Sequence, residues 1–219
     1  MTLGLALTCT VSFLLLACVA WSGGLLPGDQ AVFSRIAGWR HPALDQPMRI
    51  LSTVGSGAVL IPFTMLIALV LWRCRYRSAL IVPLIAVAGV ILEALTKWIV
   101  HRPRPKNVGY GFPSGHVVGS VIVFGLLAYV IVKAGRDRSW GSIAIAAGTL
   151  TVAGVAFSRL YFSAHWLSDI LGGLTGGLAI LLASMAWLGP RLCARVEAND
   201  ELEQPVTGVS FGLAPRDMK

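Results

Sequence analysis

Two histidines and one aspartate stand out because the segments around them are otherwise apolar. His165 and Asp169 are four residues apart, a spacing that places both on one face of a helix. A carboxylate there can accept a hydrogen bond from one imidazole nitrogen, which leaves the other nitrogen free to attack an electrophile. His116 follows Ser114 and Gly115 at the start of another apolar segment. These residue types predict a histidine nucleophile, an orienting carboxylate and a second histidine beside the bound group.

Three cations accompany the histidines, namely Lys97, Arg104 and Arg159. Arginine pairs with phosphate oxygens in bidentate fashion, so three cations with two histidines indicate an anion that is bound and attacked. Phosphate is the obvious candidate. The sequence has no Cys/His cluster and no group of carboxylates suited to a divalent metal. We therefore expect neither a metal nor another cofactor.

The stretch from Pro113 to His116 also suits an anion because it lies where a helix begins. The first backbone N–H groups of a helix have no helical partner and, with the helix dipole, attract an anion. Ser114 can cap the helix or donate to a phosphate oxygen, and Gly115 allows close backbone approach.

Two further residues are predicted to support this set. Glu93 lies four residues before Lys97, so a salt bridge could position the lysine; packing of Glu93 against another polar group is the alternative. Ser158 directly precedes Arg159. We expect a direct catalytic role for neither.

The elements that must position these residues are predicted to be membrane-spanning helices. The 219 residues are 56% hydrophobic and 13% charged, and apolar runs near the length of about 20 residues that spans a bilayer recur along the chain. Helices satisfy their own backbone hydrogen bonds in lipid, whereas barrel strands would alternate polar and apolar residues. We predict an all-α bundle of six transmembrane helices, at residues 3–21, 51–72, 78–100, 114–132, 139–158 and 166–189.

Successive membrane-spanning helices alternate in direction. The ends of the helices that carry the candidate site residues therefore lie at the same face of the membrane. Charges within a membrane bundle are costly and usually functional. Residues 1–196 are expected to form a single membrane-embedded domain, followed by a polar, flexible tail at 197–219. We expect the sequence LLLAC, ending at Cys18, to stay in a retained first helix, since no Lys or Arg precedes it as in a secretory signal.

The net charge of +8 is spread in short clusters between apolar runs. This distribution fits topology signals and lipid headgroups better than nucleic acid. Six spans place both termini on one side, and the tight clusters at that side favour the cytoplasm. The polar residues above would then face outside.

Two connections carry further expectations. Val32, Phe33, Ile36 and Trp39 lie roughly on one face of a helix, which predicts an interfacial amphipathic helix; an ordinary loop is the alternative. Arg102 and Lys106 are interpreted as solvated charges or headgroup contacts. His101 is expected to reach the interface without a catalytic role.

Three motifs together resemble the type 2 phosphatidic acid phosphatase family. They are KWIVHRPRP (Lys97 to Pro105), PSGH (Pro113 to His116) and SRLYFSAHWLSD (Ser158 to Asp169). Every fixed position of the family pattern is met, and the core from about Gly55 to Pro190 fits its membrane-bound form. One departure is the short loop of seven residues between Pro105 and Pro113, which puts substrate fit in doubt rather than chemistry.

The resemblance implies metal-free hydrolysis of a phosphoester or diphosphate through a phosphohistidine. His165 would attack phosphorus, Asp169 would orient it, and His116 would protonate the leaving oxygen and then activate water. The remaining site residues would hold the phosphoryl oxygens: Lys97, Arg104, Ser114, Gly115 and Arg159.

The expected partners are membrane lipids and a lipid phosphate substrate, either a polyprenyl diphosphate, phosphatidylglycerol phosphate or phosphatidic acid. The resemblance to small bacterial members suggests the recycling of an undecaprenyl carrier for cell-wall synthesis at the plasma membrane. Two alternatives remain open: a lipid phosphotransferase, and a non-enzymatic lipid-binding or transport protein.

Overall fold

The chain is folded almost entirely into helices. The computed structural model describes residues 2–76, 78–106, 109–134 and 138–192, so the predicted tail at 197–219 lies outside the described residues. Eight helices occur in this part of the chain: α1 (Thr2–Trp21), α2 (Pro27–Ala37), α3 (Pro42–Val54), α4 (Gly57–Arg73), α5 (Ser78–Val100), α6 (Gly115–Ala134), α7 (Arg138–Tyr161) and α8 (Leu167–Leu192). None of these residues lies in a β-strand, although Pro103 and Tyr110 form an isolated bridge.

Five of the described helices are long and apolar enough to cross a membrane, namely α1, α5, α6, α7 and α8. They match five of the six predicted spans to within a few residues at each end. The all-α membrane bundle expected from the apolar runs is therefore confirmed.

The sixth predicted span, at residues 51–72, is not one continuous helix. Its first residues belong to α3, and α4 begins at Gly57 after a bend of 48°; α3 and α4 count as a sixth span only if taken together. A Cβ on Gly55 would lie 2.4 Å from Val155 Cγ1 of α7, so this junction packs directly on its neighbours. The prediction missed the break because the stretch from Ser52 to Gly57 carries no charge that would end an apolar span.

The long connection between the first two spans forms α2 and α3. Pro27 and Pro42 stand at the first turns, where the absent N–H costs nothing. The predicted helix exists, but it begins at Pro27 and ends before Trp39, which is 56% exposed. Its position at the membrane interface stays a prediction. Ile36 is buried, as its predicted position on the apolar face requires. The loop alternative is wrong, and so is the inclusion of Trp39.

Helix α6 occupies the centre of the bundle, where it contacts α4, α5, α7 and α8, while α1 packs along α8. The glycine-rich stretch LGGLTGGL of α8 makes this close packing feasible. A Cβ on Gly173 would lie 2.9 Å from the Ser114 carbonyl oxygen, so the start of α6 sits directly on the first turns of α8. This contact fixes the distance between two of the predicted motifs.

Candidate active site

The predicted site residues gather where α5 and α7 end and α6 and α8 begin. The Ser114 N–H donates to the Asp169 carbonyl oxygen at 3.0 Å, which ties the start of α6 to α8. A Cβ on Gly111 would lie 2.7 Å from Asp169 Oδ2 and 3.4 Å from Arg104 Cγ. The loop after α5 therefore brings Arg104 beside the same carboxylate.

His165 and Asp169 form the pair that their spacing suggests, with Nδ1 and Oδ2 separated by 3.3 Å. The Trp166 N–H also donates to Asp169 Oδ2, at 3.0 Å. The geometry differs in one respect from the expectation, because His165 lies in the turn before α8 begins at Leu167. With Nδ1 engaged, Nε2 is the nitrogen left for chemistry.

Both members of the pair are buried, His165 at 2% exposure and Asp169 at 0%. Burial lowers the pKa of His165, and the hydrogen bond and charge of Asp169 oppose that effect. The charges of Arg159 and Arg104 add to the lowering of the His165 pKa. These effects favour a neutral imidazole, which is the form that can act as a nucleophile.

The three predicted cations all lie close enough to the second histidine to act on it electrostatically. Lys97, Arg104 and Arg159 each interact electrostatically with His116, as does His165. Arg104 and Arg159 are also close enough to repel one another. Like charges held together in this way favour an anion between them.

Two polar atoms beside these charges are buried without a hydrogen-bond partner among the described residues. They are Ser114 Oγ and Arg159 Nε. Arg159 is held from its other side, because Nη1 donates to Ser52 Oγ of α3 at 2.6 Å. Buried polar groups are nearly always satisfied, and a ligand with acceptor oxygens would satisfy both donors here. Ser52 was missed in the sequence because no motif marks it.

Glu93 and Lys97 form an ion pair one helical turn apart on α5. The Glu93 carboxylate also lies against Gly115, since a Cβ there would come within 2.0 Å of Glu93 Oε1. Ser158 is buried and donates to the Val155 carbonyl oxygen at 2.6 Å. The supporting roles of Glu93 and Ser158 remain predictions.

The interpretation of Arg102 as a solvated or headgroup-binding charge is wrong. Its side chain is buried at 3% exposure, and Nη1 donates to Asp169 Oδ1 at 3.0 Å and to Ser168 Oγ at 2.6 Å. Nη2 donates to Asp29 Oδ2 of α2 at 2.9 Å. Sequence reasoning could not find Asp29, because its partners are far away in the chain. Lys106 and His101 are exposed, as expected.

A cavity of about 500 Å³ between α4, α5 and α6 adjoins the site. Glu93, Gly115 and His116 line its polar end, and the remaining wall is almost entirely apolar. Ile61 and Met65 belong to this wall and are also exposed on the outside of the bundle. The cavity therefore connects His116 with the surface that would face lipid.

No group of three or more His, Cys, Asp and Glu residues within the described ranges is placed to hold a metal ion. The residues around His116 are mainly cations, which suit an anionic ligand instead.

Comparison with known proteins places this arrangement in context. The family model described as the PAP2 superfamily matches residues 78–193, which include all three sequence motifs. The chain is 26% identical over 178 residues to phosphatidylglycerophosphatase B of Bacillus subtilis, covering 77% of this chain and 87% of that protein. It is 31% identical over 158 residues to YbjG of Escherichia coli, which carries a provisional undecaprenyl-diphosphatase name, covering 64% of this chain and 75% of that one.

Two solved structures share the fold. The crystal structure of a transmembrane PAP2-type phosphatidylglycerolphosphate phosphatase from Bacillus subtilis superimposes with a TM-score of 0.77 at 21% identity, covering 84% of this chain and 96% of that chain. The crystal structure of Aquifex aeolicus LpxE gives a TM-score of 0.58 at 21% identity, covering 74% of this chain and 97% of that chain.

Proposed function

The chain belongs to the PAP2 superfamily and is an integral membrane lipid phosphatase, and from this premise we propose that it hydrolyses its substrate through a phosphohistidine on His165, without a metal ion. The observation that carries the proposal is the pair of buried, unsatisfied donors, Ser114 Oγ and Arg159 Nε. Arg159 is one of the charges that act on His116 and His165, and Ser114 lies two residues before His116. A phosphoryl group would supply the missing acceptors.

The first step is attack on phosphorus by the lone pair of His165 Nε2. The bond from phosphorus to the leaving oxygen breaks, and His116 gives that oxygen a proton. Asp169 holds Nδ1–H and stabilises the positive charge that the imidazole acquires. Lys97, Arg104 and Arg159 neutralise the phosphoryl oxygens, while Ser114 and the Gly115 amide donate hydrogen bonds.

The second step returns the enzyme to its starting state. His116, now neutral, takes a proton from water as the water oxygen attacks phosphorus. The bond between Nε2 and phosphorus breaks, and inorganic phosphate leaves. His116 thus serves first as an acid and then as a base.

The substrate class follows from the cavity beside His116. An apolar wall that reaches the lipid-facing surface suits an acyl or prenyl chain, with the phosphate at the polar end. The names of the related proteins favour phosphatidylglycerol phosphate and undecaprenyl diphosphate as substrates, and phosphatidic acid has the same chemistry.

The test is phosphate release by the purified full-length protein from a panel of these lipids, with a soluble aryl phosphate for comparison. We expect turnover of at least one lipid, no loss with a chelator, and loss in His165→Asn. His101→Asn is the matched control, since His101 is exposed and lies outside the site. Activity on the soluble ester alone, or loss with the chelator, contradicts the proposal. A phosphorylated lipid product instead of free phosphate would indicate a phosphotransferase.

The orientation in the bacterial plasma membrane is part of the proposal. Arg73 and Arg75 lie at the end of α4 away from the site, and Lys133 lies at the corresponding end of α6. Such clusters favour the cytoplasm, which places both termini inside and the site outside. Cys74 is exposed beside this cluster. An impermeant maleimide added to intact cells should label Lys106→Cys but not Cys74; the reverse pattern overturns the orientation.

A further inference from the structure

A buried chain of charges leads from α2 to His165. Asp29 is 1% exposed and Arg102 is 3% exposed. Asp29 Oδ2 accepts from Arg102 Nη2 at 2.9 Å, and Arg102 Nη1 donates to Asp169 Oδ1 at 3.0 Å. The other oxygen of Asp169 faces His165 Nδ1 at 3.3 Å. The order of groups is thus carboxylate, guanidinium, carboxylate and imidazole.

Asp29 is held in this chain more firmly than a helix cap requires. Its Oδ1 accepts from the Ser168 N–H at 2.7 Å, and its Oδ2 accepts from the Ser168 hydroxyl, also at 2.7 Å. The Leu26 N–H, at the start of α2, donates to Oδ2 at 2.9 Å. A carboxylate with this many donors is fixed in position.

Asp29 offsets the positive charge of Arg102. Arg102 next to Asp169 alone would offset much of the negative field that His165 experiences, because the guanidinium touches the same carboxylate. With Asp29 on its other side, the trio keeps a net negative charge, since two carboxylates flank one guanidinium. Arg102 can then fix the orientation of Asp169 without removing its effect on the imidazole.

We propose that Asp29 and Arg102 are positioning residues of the reaction, with Arg102 fixing Asp169 and Asp29 balancing the charge of Arg102 so that Asp169 continues to hold and stabilise His165. This inference rests on the proposed function, because it assumes that His165 is the nucleophile. It extends the site to α2, a helix outside the three sequence motifs.

Asp29 and Arg102 carry opposite charges, so their removal should shift the pH dependence of the reaction in opposite directions. Residues with a purely structural role would not produce such opposite shifts. The acid limb of kcat/KM against pH reports the protonation of essential groups in the free enzyme, and His165 must be neutral to attack. Loss of the Asp29 charge destabilises the imidazolium and moves the limb to lower pH. Loss of the Arg102 charge does the opposite. The other groups that face His165 are Asp169 on α8, Arg159 on α7, Arg104 in the loop and His116 on α6, and all four stay in place.

The experiment compares Asp29→Asn and Arg102→Gln in the full-length protein, with the same lipid substrate throughout. We expect the acid limb of kcat/KM to shift by at least about half a pH unit in each single variant, in opposite directions. In the double variant the acid limb should lie near that of the wild type. Gln30→Ala on α2 and Lys106→Gln in the loop are the controls. Both residues are exposed, so neither substitution should move the limb.

Unchanged limbs, or shifts in the same direction, overturn the inference. If one variant does not accumulate in the membrane, the direction of the other decides. Loss of both single variants and the double variant also overturns it, since the charges would then serve folding rather than His165. Failure of the proposed function is recognised separately, by activity that survives His165→Asn.

Discussion

The carboxylate of Glu93 lies against Gly115, so that a methyl group on Gly115 would come within 2.0 Å of Glu93 Oε1. The same carboxylate pairs with Lys97. The first residue of α6 and the predicted phosphate-binding lysine are thus linked through one side chain, and a change at Gly115 must disturb Lys97.

Gly115→Ala is therefore expected to reduce kcat/KM by about 10-fold or more, because the displaced Glu93 carries Lys97 away from the phosphoryl oxygens. The measurement is steady-state phosphate release from the preferred lipid. Gly57→Ala is the matched control, since Gly57 lines the same cavity and a Cβ there would meet only Ile61 Cδ1 at 3.8 Å. Equal activity of both variants would show that the contact has no role.

Asp169→Asn is expected to lower kcat by about 100-fold or more, with a smaller effect on KM. The amide keeps the shape but loses the charge that fixes the tautomer of His165 and stabilises its positive form. The measurement is the separation of kcat from KM on a lipid substrate. A change confined to KM would mean that Asp169 binds substrate instead of orienting His165.

Ser52→Ala is expected to lower kcat/KM by about 5- to 10-fold, because Arg159 loses the hydrogen bond that holds its guanidinium. The neighbouring Thr53 is exposed, so Thr53→Ala provides a control on the same helix. Inhibition by inorganic phosphate gives a second readout, which should weaken in Ser52→Ala alone. If both variants behave as the wild type, the hydrogen bond from Arg159 to Ser52 is unimportant for activity.

Ala86→Phe is expected to reduce turnover of long-chain lipid phosphates while a short-chain or soluble phosphate ester is affected little. Ala86 lines the cavity that ends at His116, and a phenyl ring would fill the space assigned to the lipid chain. Ala88 on the same helix is exposed and is not part of the cavity wall, so Ala88→Phe is the control. Equal losses on long and short substrates would argue against a chain in this cavity.

The reacting residues could be predicted from the sequence because their spacings are local. Six charged or histidine site positions lie within motifs of a dozen residues or fewer: Lys97, Arg104, His116, Arg159, His165 and Asp169. The apolar runs between them are long enough to span a membrane, so successive helices had to alternate in direction. The ion pair between Glu93 and Lys97 followed from a separation of one helical turn. In these cases the spacing of residues within one segment determines their relative positions.

The missing parts all depend on contacts between distant segments. Arg102 looked solvated because it stands in a short basic loop, and only the fold brings Asp29 of α2 and Ser168 of α8 to its guanidinium. Ser52 reaches Arg159 from α3, a helix that lies mostly outside the predicted span at 51–72. The bend between α3 and α4 places Gly55 directly against Val155 of α7, a contact that hydropathy does not record.

The most direct test of the account is the identification of the covalent intermediate. The full-length protein is mixed with a lipid labelled with ³²P in its terminal phosphate, quenched with base within milliseconds, and digested for mass spectrometry. We predict base-stable, acid-labile label on His165 that is absent from His165→Asn. In His116→Ala the label should both form and decay more slowly, because His116 serves both steps. Label on another residue, or full turnover in His165→Asn, would contradict the account.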